Sequence, residues 1–188
     1  MTEDLKFIGP WRVLTQRPIY SNAWIDVTHH EVLTPRGEPG IYGTVRFKHL
    51  AVAVLPLTDD GFTWLVGQHR FPLDRYFWEI PEGGARPGED PLLAGQRELR
   101  EETGLVATRW DRVLEMHLSN SVTDEASVSY VARGLTQGEA EPEGTEELAL
   151  KKVPFAEVCA MVARGEITDA LSVATVLRVQ VMLLEGEL

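Results

Sequence analysis

An α/β architecture, with helices covering both faces of a mixed sheet and an antiparallel β extension ahead of it, is what this sequence predicts. Three observations carry that expectation. Short β-like runs fill the first 47 residues around a turn, residues 50–57 form an unbroken apolar run, and three helical patterns follow further along the chain.

In order, WRVLTQR and AWIDVTHHEVL lie within residues 11–33, TPRGEPG supplies a turn, and IYGTVRF reads as the partner strand of that hairpin. LAVAVLPL (50–57) suits a strand buried on both faces. Asp59-Asp60-Gly61 makes a turn, and FTWLVGQ is expected to return as the next strand. From Leu92 to Thr103 a helix is expected, with Asp90 as N-cap, Pro91 at the first position and Gly104 as the stop; Gly95 weakens it. RVLEMHL and SVSYVAR read as a further strand pair. After the acidic loop GEAEPEGTEE (138–147), PFAEVCAMVARGE and TDALSVATVLRVQVMLL read as helices starting at Pro154 and Thr168. The expected division is an N-terminal β-hairpin extension, 1–47, and a main domain, 48–188.

With 188 residues the chain can bury one substantial core. Its net charge of −11 argues against broad binding to nucleic acid or anionic membrane, which need basic patches. No stretch is long and apolar enough to span a bilayer. The start, MTEDLKFIGPW, lacks a basic region followed by an apolar run, so no secretory signal is expected. Cys159 stands alone in the sequence, and a buried, inert thiol in a cytoplasmic setting is the expectation.

The chemistry concentrates in GGARPGEDPLLAGQRELREETGL (83–105). On a helix, Glu98 and Glu102 are four apart and Glu98 and Glu101 three apart, so the carboxylates project from neighbouring positions. That face is expected to be exposed, with only Ala94 and Gly95 one turn earlier, leaving room for ions or a closely approaching loop. Leu92, Leu99 and Thr103 would pack on the core. Like charges at this spacing cost roughly a few tenths of a kcal/mol per pair, so the cluster needs a cation. Carboxylate oxygens point to Mg²⁺ or Mn²⁺ rather than zinc. An acidic helical run alone is most often a solvated face.

The whole segment resembles the Nudix box, G-x5-E-x7-R-E-U-x-E-E-x-G-U, at every specified position: Gly83, Glu89, Arg97, Glu98, Leu99, Glu101, Glu102, Gly104 and Leu105. The resemblance implies a Nudix-type α/β/α sandwich and a pyrophosphohydrolase acting on a nucleoside diphosphate linked to another moiety. It makes Glu98 and Glu102 the main metal ligands, assisted by Glu101 and the backbone carbonyl of Glu82. Arg97 and Glu89 form an internal ion pair in that scheme.

QHRFPLDRYFWEIPEGG (68–84) is similar to the approach to the box in ADP-ribose and nucleotide-sugar pyrophosphatases. That likeness implies that Arg70 grips the diphosphate or terminal ribose and that Glu79 lines the site. Structural alternatives are a surface strand end for Arg70 and a pair with Arg75 for Glu79. Aromatics of the N-terminal extension sandwich the base in this group, often across a homodimer. Trp24 and Tyr42 are expected at matching places on either side of the hairpin turn, with Arg46 just beyond. The general base is implied in the loop before Pro154, with Glu146 the best match and Glu101 the competitor. Thr123, Asp124 and Glu125 keep the group's T-D-E run, but Asn120 stands where its proline would fall. ADP-ribose therefore leads as substrate, with GDP-mannose and other nucleotide sugars open. A triphosphate or capped-RNA hydrolase and a catalytically silent nucleotide sensor are the rivals.

Overall fold

The structure is a computed structural model that describes residues 6–138 and 148–188. Two compact units emerge from the contacts, one built of the chain through His49 together with His117–Glu125, the other of Leu50–Met116 and Ala126–Leu188.

In the first unit four antiparallel strands lie in sequence order: β1 (Lys6–Ile8), β2 (Trp11–Ser21), β3 (Ile25–Leu33) and β4 (Pro39–Phe47). It is a sheet rather than the single hairpin expected. At the β2–β3 turn the Asn22 Oδ1 accepts the N–H groups of Trp24 and Ile25, both at 2.8 Å. The β3–β4 turn passes through Gly37 at φ +84°, a conformation that favours glycine. Residues 118–125 join the edge of β4: Val45 donates to Val122 O at 2.9 Å, and Asp124 Oδ1 accepts the Phe47 N–H at 2.8 Å.

The second unit carries the main core. Its four-stranded sheet runs β8 (Glu82–Ala85), β5 (Leu50–Pro56), β10 (Ala126–Gln137), β9 (Leu105–His117). β5 pairs parallel with β10 and antiparallel with β8, so the sheet is mixed. Helix α1 (Pro91–Thr103) covers one face, where Val52, Ala85, Ala94, Val128 and Tyr130 cluster. Successive strand residues point to opposite faces. Ser129 accordingly points away from that cluster, and its Oγ accepts from Thr175 of α3 (Ala170–Glu185) at 2.8 Å. Helices therefore cover both faces.

β6 (Phe62–Arg70) does not continue this sheet beside β5, as its hairpin-like turn suggested. It forms the centre of a second sheet, between β11 (Ala149–Pro154) and β7 (Arg75–Glu79). The reason is a long-range partner: β11 pairs with β6 along its whole length, from Ala149 opposite Gly67 to Pro154 opposite Phe62. Helix α2 (Phe155–Ala163) follows β11 directly. No helix among the described residues is long and apolar enough to cross a membrane.

Candidate active site

α1 begins where Asp90 accepts the Leu92 N–H at 2.8 Å and ends at Gly104, whose φ of +72° suits a left-handed cap. Leu99 and Ala94 are fully buried. A Cβ on Gly95 would approach Val52 Cγ1 and Val54 Cγ2 at 3.2 Å each. Ala94 and Gly95 therefore leave no open space for ions. They let the helix lie close on β5, which corrects the expectation from the helical wheel.

That close seating also turns the acidic face inward instead of exposing it. Glu102 is only 6% exposed and accepts the Glu82 N–H at 3.1 Å. Glu98 accepts the Gly84 N–H at 3.2 Å, and a Cβ on Gly83 would fall on the Glu98 carboxylate. β8 thus presents bare backbone to α1, and its amides orient two carboxylates.

Arg97 ties the remaining acids together. Its Nη1 donates to Glu98 at 2.7 Å and to Glu101 at 3.0 Å, its Nε to Glu89 at 3.3 Å, and its Nη2 to the Gly84 carbonyl at 3.1 Å. Burial raises the Glu98 pKa from its ordinary value, against the opposing pull of Arg97. Glu89 is shifted down by the Arg86 N–H and by the bond from Arg97.

A second group of acids lies next to Glu102 in the chain's folded order. One oxygen each from Glu79, Glu82 and Asp169 lies within 4.8 Å of the others. Arg70 is the cation among them. Its Nε donates to both Glu79 oxygens at 3.1 and 3.0 Å, and its Nη2 to Glu79 Oε2 at 2.6 Å and to Glu82 Oε1. Burial opposes the Arg70 charge, but the Glu79 bond and the fields of Glu82, Glu79 and Asp169 outweigh it and raise its pKa. Burial, then the charges of Asp169 and Glu79, pushes Glu82 well above its ordinary pKa; the Glu102 charge adds to this. Arg75 does not pair with Glu79; its guanidinium lies 5.2 Å from the Phe77 ring centroid.

Asp169 carries no motif that marks it as a site residue. Its sequence signal is that of a helix cap, and it accepts the Ser172 N–H at 2.7 Å at the start of α3. Ser172 Oγ in turn accepts the Ile80 N–H at 2.9 Å, joining α3 to the β7–β8 connection.

These residues fit a divalent cation. The donors are oxygens throughout, and Glu82 Oε2 is buried with no hydrogen-bond partner. Glu79, Glu82, Glu98, Glu101, Glu102 and Asp169 outnumber the two guanidiniums, Arg70 and Arg97, that the hydrogen bonds place among them. A buried excess of negative charge of this kind calls for a cation.

Comparison with known proteins gives this arrangement its family. The sequence profile of the NUDIX domain matches residues 47–174. The chain belongs to the Nudix family.

As a Nudix protein it is a pyrophosphohydrolase. It is 32% identical over 173 residues to the ADP-ribose pyrophosphatase of Mycobacterium tuberculosis (strain ATCC 25618 / H37Rv), covering 90% of this chain and 83% of that protein. It is 31% identical over 161 residues to the ADP-ribose pyrophosphatase of Bacillus subtilis (strain 168), covering 85% and 86%. The crystal structure of an ADP compounds hydrolase shares the fold with a TM-score of 0.84, at 21% identity, over 97% of this chain and 98% of that one.

Ahead of the Nudix domain, residues 11–45 match the nucleoside diphosphate sugar hydrolase N-terminal domain. Within that unit, Trp24 and Tyr42 do not face each other across the hairpin. Tyr42 pairs with His30, whereas Ile25, next to Trp24, pairs with Phe47. The β3–β4 register thus separates them by several residues. Trp24 is 66% exposed. Tyr42 meets the Trp11 ring edge-on at 5.5 Å and donates its hydroxyl to Ser121 O at 2.5 Å. Arg46, opposite Asp26, lines with Tyr42 and Asp124 a cavity of about 710 Å³ in this unit. Asp124 and Thr123 are engaged in turn and strand-edge bonding. Glu146 lies outside the described residues.

Proposed function

We propose that this Nudix enzyme hydrolyses the diphosphate of a nucleoside diphosphate sugar with Mg²⁺, or Mn²⁺ in its place, and that ADP-ribose is the leading substrate. The observation that carries this reading is the oxygen-lined meeting of α1 with β8, in which Glu98 and Glu102 are aimed by backbone amides. Two relatives that carry the name ADP-ribose pyrophosphatase across most of their length support the substrate class.

In this reading Glu98, Glu102 and Glu101 hold the metal, with the Glu82 carbonyl beside them. A bound divalent ion supplies charge neutralisation of the diphosphate and a water of lowered pKa. The protein's own part is positioning. Arg70 presents donors to a diphosphate oxygen, as a planar guanidinium suits. Glu146, or Glu101, takes the proton of the attacking water. The water oxygen bonds to one phosphorus as the bridging P–O bond breaks, giving a nucleoside monophosphate and a sugar phosphate. Trp24, Tyr42 and Arg46 serve the base, Trp24 with its open indole face, and the N-terminal unit joins two copies into a homodimer. Asn120, in place of a proline, keeps GDP-mannose as the second substrate to test.

The test is a panel of ADP-ribose, GDP-mannose, UDP-glucose, NADH and a nucleoside triphosphate with Mg²⁺, with products separated by chromatography. AMP and ribose 5-phosphate from ADP-ribose are expected. Preferential cleavage of the triphosphate, or no product from any member, refutes the proposal.

A further inference from the structure

The geometry points to Glu79 and Glu82 as positioning residues that set the angle of Arg70, rather than as groups that touch substrate. The inference rests on the diphosphate reading above and deepens it at Arg70.

Glu79 is 2% exposed, so a substrate in solution has almost no surface of it to reach. Both of its oxygens are occupied: Arg70 Nε straddles the pair, Arg70 Nη2 reaches Oε2, and Gln68 Nε2 donates to Oε2 at 3.2 Å. With Arg70 and Gln68 donating to its two oxygens and almost no surface exposed, this carboxylate is committed to the guanidinium rather than turned outward to a ribose hydroxyl. It does hold a guanidinium in one plane, because the Nε–Nη2 edge is bound along its length.

Glu82 completes the clamp from the neighbouring strand by accepting from the same Nη2. Arg70 is thus fixed from β7 and β8 together. Its Nη1, with two N–H groups, meets no acceptor among the described residues, and the side chain is 36% exposed. One edge of the guanidinium is held by protein and the other end is offered outward. Arg70 would otherwise lose rotamer entropy on binding a ligand; here that loss is taken at folding. Asp169 backs the clamp with a third carboxylate at the start of α3, where Ser172 also bonds the Ile80 N–H between the two clamping residues.

A positioning residue acts only through the group it positions, and a double-mutant cycle reads that directly. Binding of inorganic pyrophosphate to the full-length protein is measured by calorimetry with Mg²⁺ for wild type, Glu79→Gln, Arg70→Ala and the double variant. Mn²⁺ affinity is measured for the same proteins. Arg70→Ala is expected to weaken pyrophosphate binding by about a hundredfold and Glu79→Gln by about tenfold. The double variant should match Arg70→Ala alone, and Mn²⁺ affinity should stay within threefold throughout. Glu82→Gln should weaken pyrophosphate less than Glu79→Gln, since it removes one bond of the clamp. With a cleaved substrate, the loss should fall on KM more than on kcat.

Multiplicative losses in the double variant would overturn the inference, because Glu79 would then act without Arg70. A tenfold drop in Mn²⁺ affinity in Glu79→Gln would overturn it too, making Glu79 a ligand. Failure of wild type to bind pyrophosphate would leave Arg70 with nothing to present and end the proposal. If the cycle closes as expected yet no nucleotide sugar is hydrolysed, only the substrate reading falls.

Discussion

Gly83→Ala tests the seating of α1 on β8 with a single methyl group. Gly83 does not adopt a left-handed φ, so backbone strain is not the issue. The issue is space, since the added Cβ would land on the Glu98 carboxylate. That carboxylate is the far end of a flexible side chain and can swing aside, so the steric clash itself is cheap. What is lost is its anchorage, the Gly84 N–H at 3.2 Å and Arg97 Nη1 at 2.7 Å. Hydrogen bonds to charged groups contribute roughly 1.5–3 kcal/mol each, partly recovered when the displaced group is rehydrated. A net loss of about 2 kcal/mol follows, visible as a lower urea midpoint at unchanged slope. Turnover should fall much further, by roughly 10²–10³-fold, the scale seen when one electrostatic group is taken from an active site. Turnover within threefold of wild type, with the same loss of stability, would refute the reasoning, because Glu98 would then not need its place beside β8.

Glu98→Gln and Glu102→Gln should each lower Mg²⁺-dependent turnover by orders of magnitude while thermal melting and circular dichroism report an intact fold. Gly95→Ala sets a helix-propensity gain of about 1 kcal/mol against overpacking costs of about 1–3 kcal/mol. Val52 and Val54 are fully buried and stiff at χ1, so the protein should become less stable by about 1 kcal/mol in urea denaturation. Asp169→Ala should lose about 1 kcal/mol through the missing cap on Ser172, whereas Asp169→Asn should melt close to wild type, as asparagine caps equally well.

The local chemistry of α1 was legible because caps and helical spacing are short-range. Asp90, Pro91 and Gly104 mark its limits, and the structure has the helix between those same residues. The direction of its acidic face was not legible. Exposure was inferred from charge, whereas Gly95 and the glycines of β8 let backbone approach closely enough to bury Glu102. β8 itself passes for a loop in sequence, since Gly83 and Gly84 have no strand propensity; its pairing with β5 supplies what propensity does not. The same limit explains β6, whose partner β11 lies some eighty residues on and leaves no local trace. Asp169 belongs to this class as well: a cap motif tells where α3 begins and nothing about Glu79 and Glu82, which only the fold brings near. Trp24 and Tyr42 flank the same turn at unequal distances, and the unbroken β3–β4 register puts Tyr42 opposite His30 and leaves Trp24 just beyond Ile25 at the far end of the ladder.

The first unit is discontinuous in the chain, since residues 117–125 belong with the N-terminal strands. Removing everything up to His49 would therefore not yield a clean catalytic fragment. It would strip Val122 and Asp124 of the Val45 and Phe47 backbone groups they bond, leaving the turn at residues 118–125 without its partners in the middle of what remained. Chimeras that borrow this sheet from a relative must carry both stretches together, because a single crossover near position 49 parts residues that bond each other within one unit.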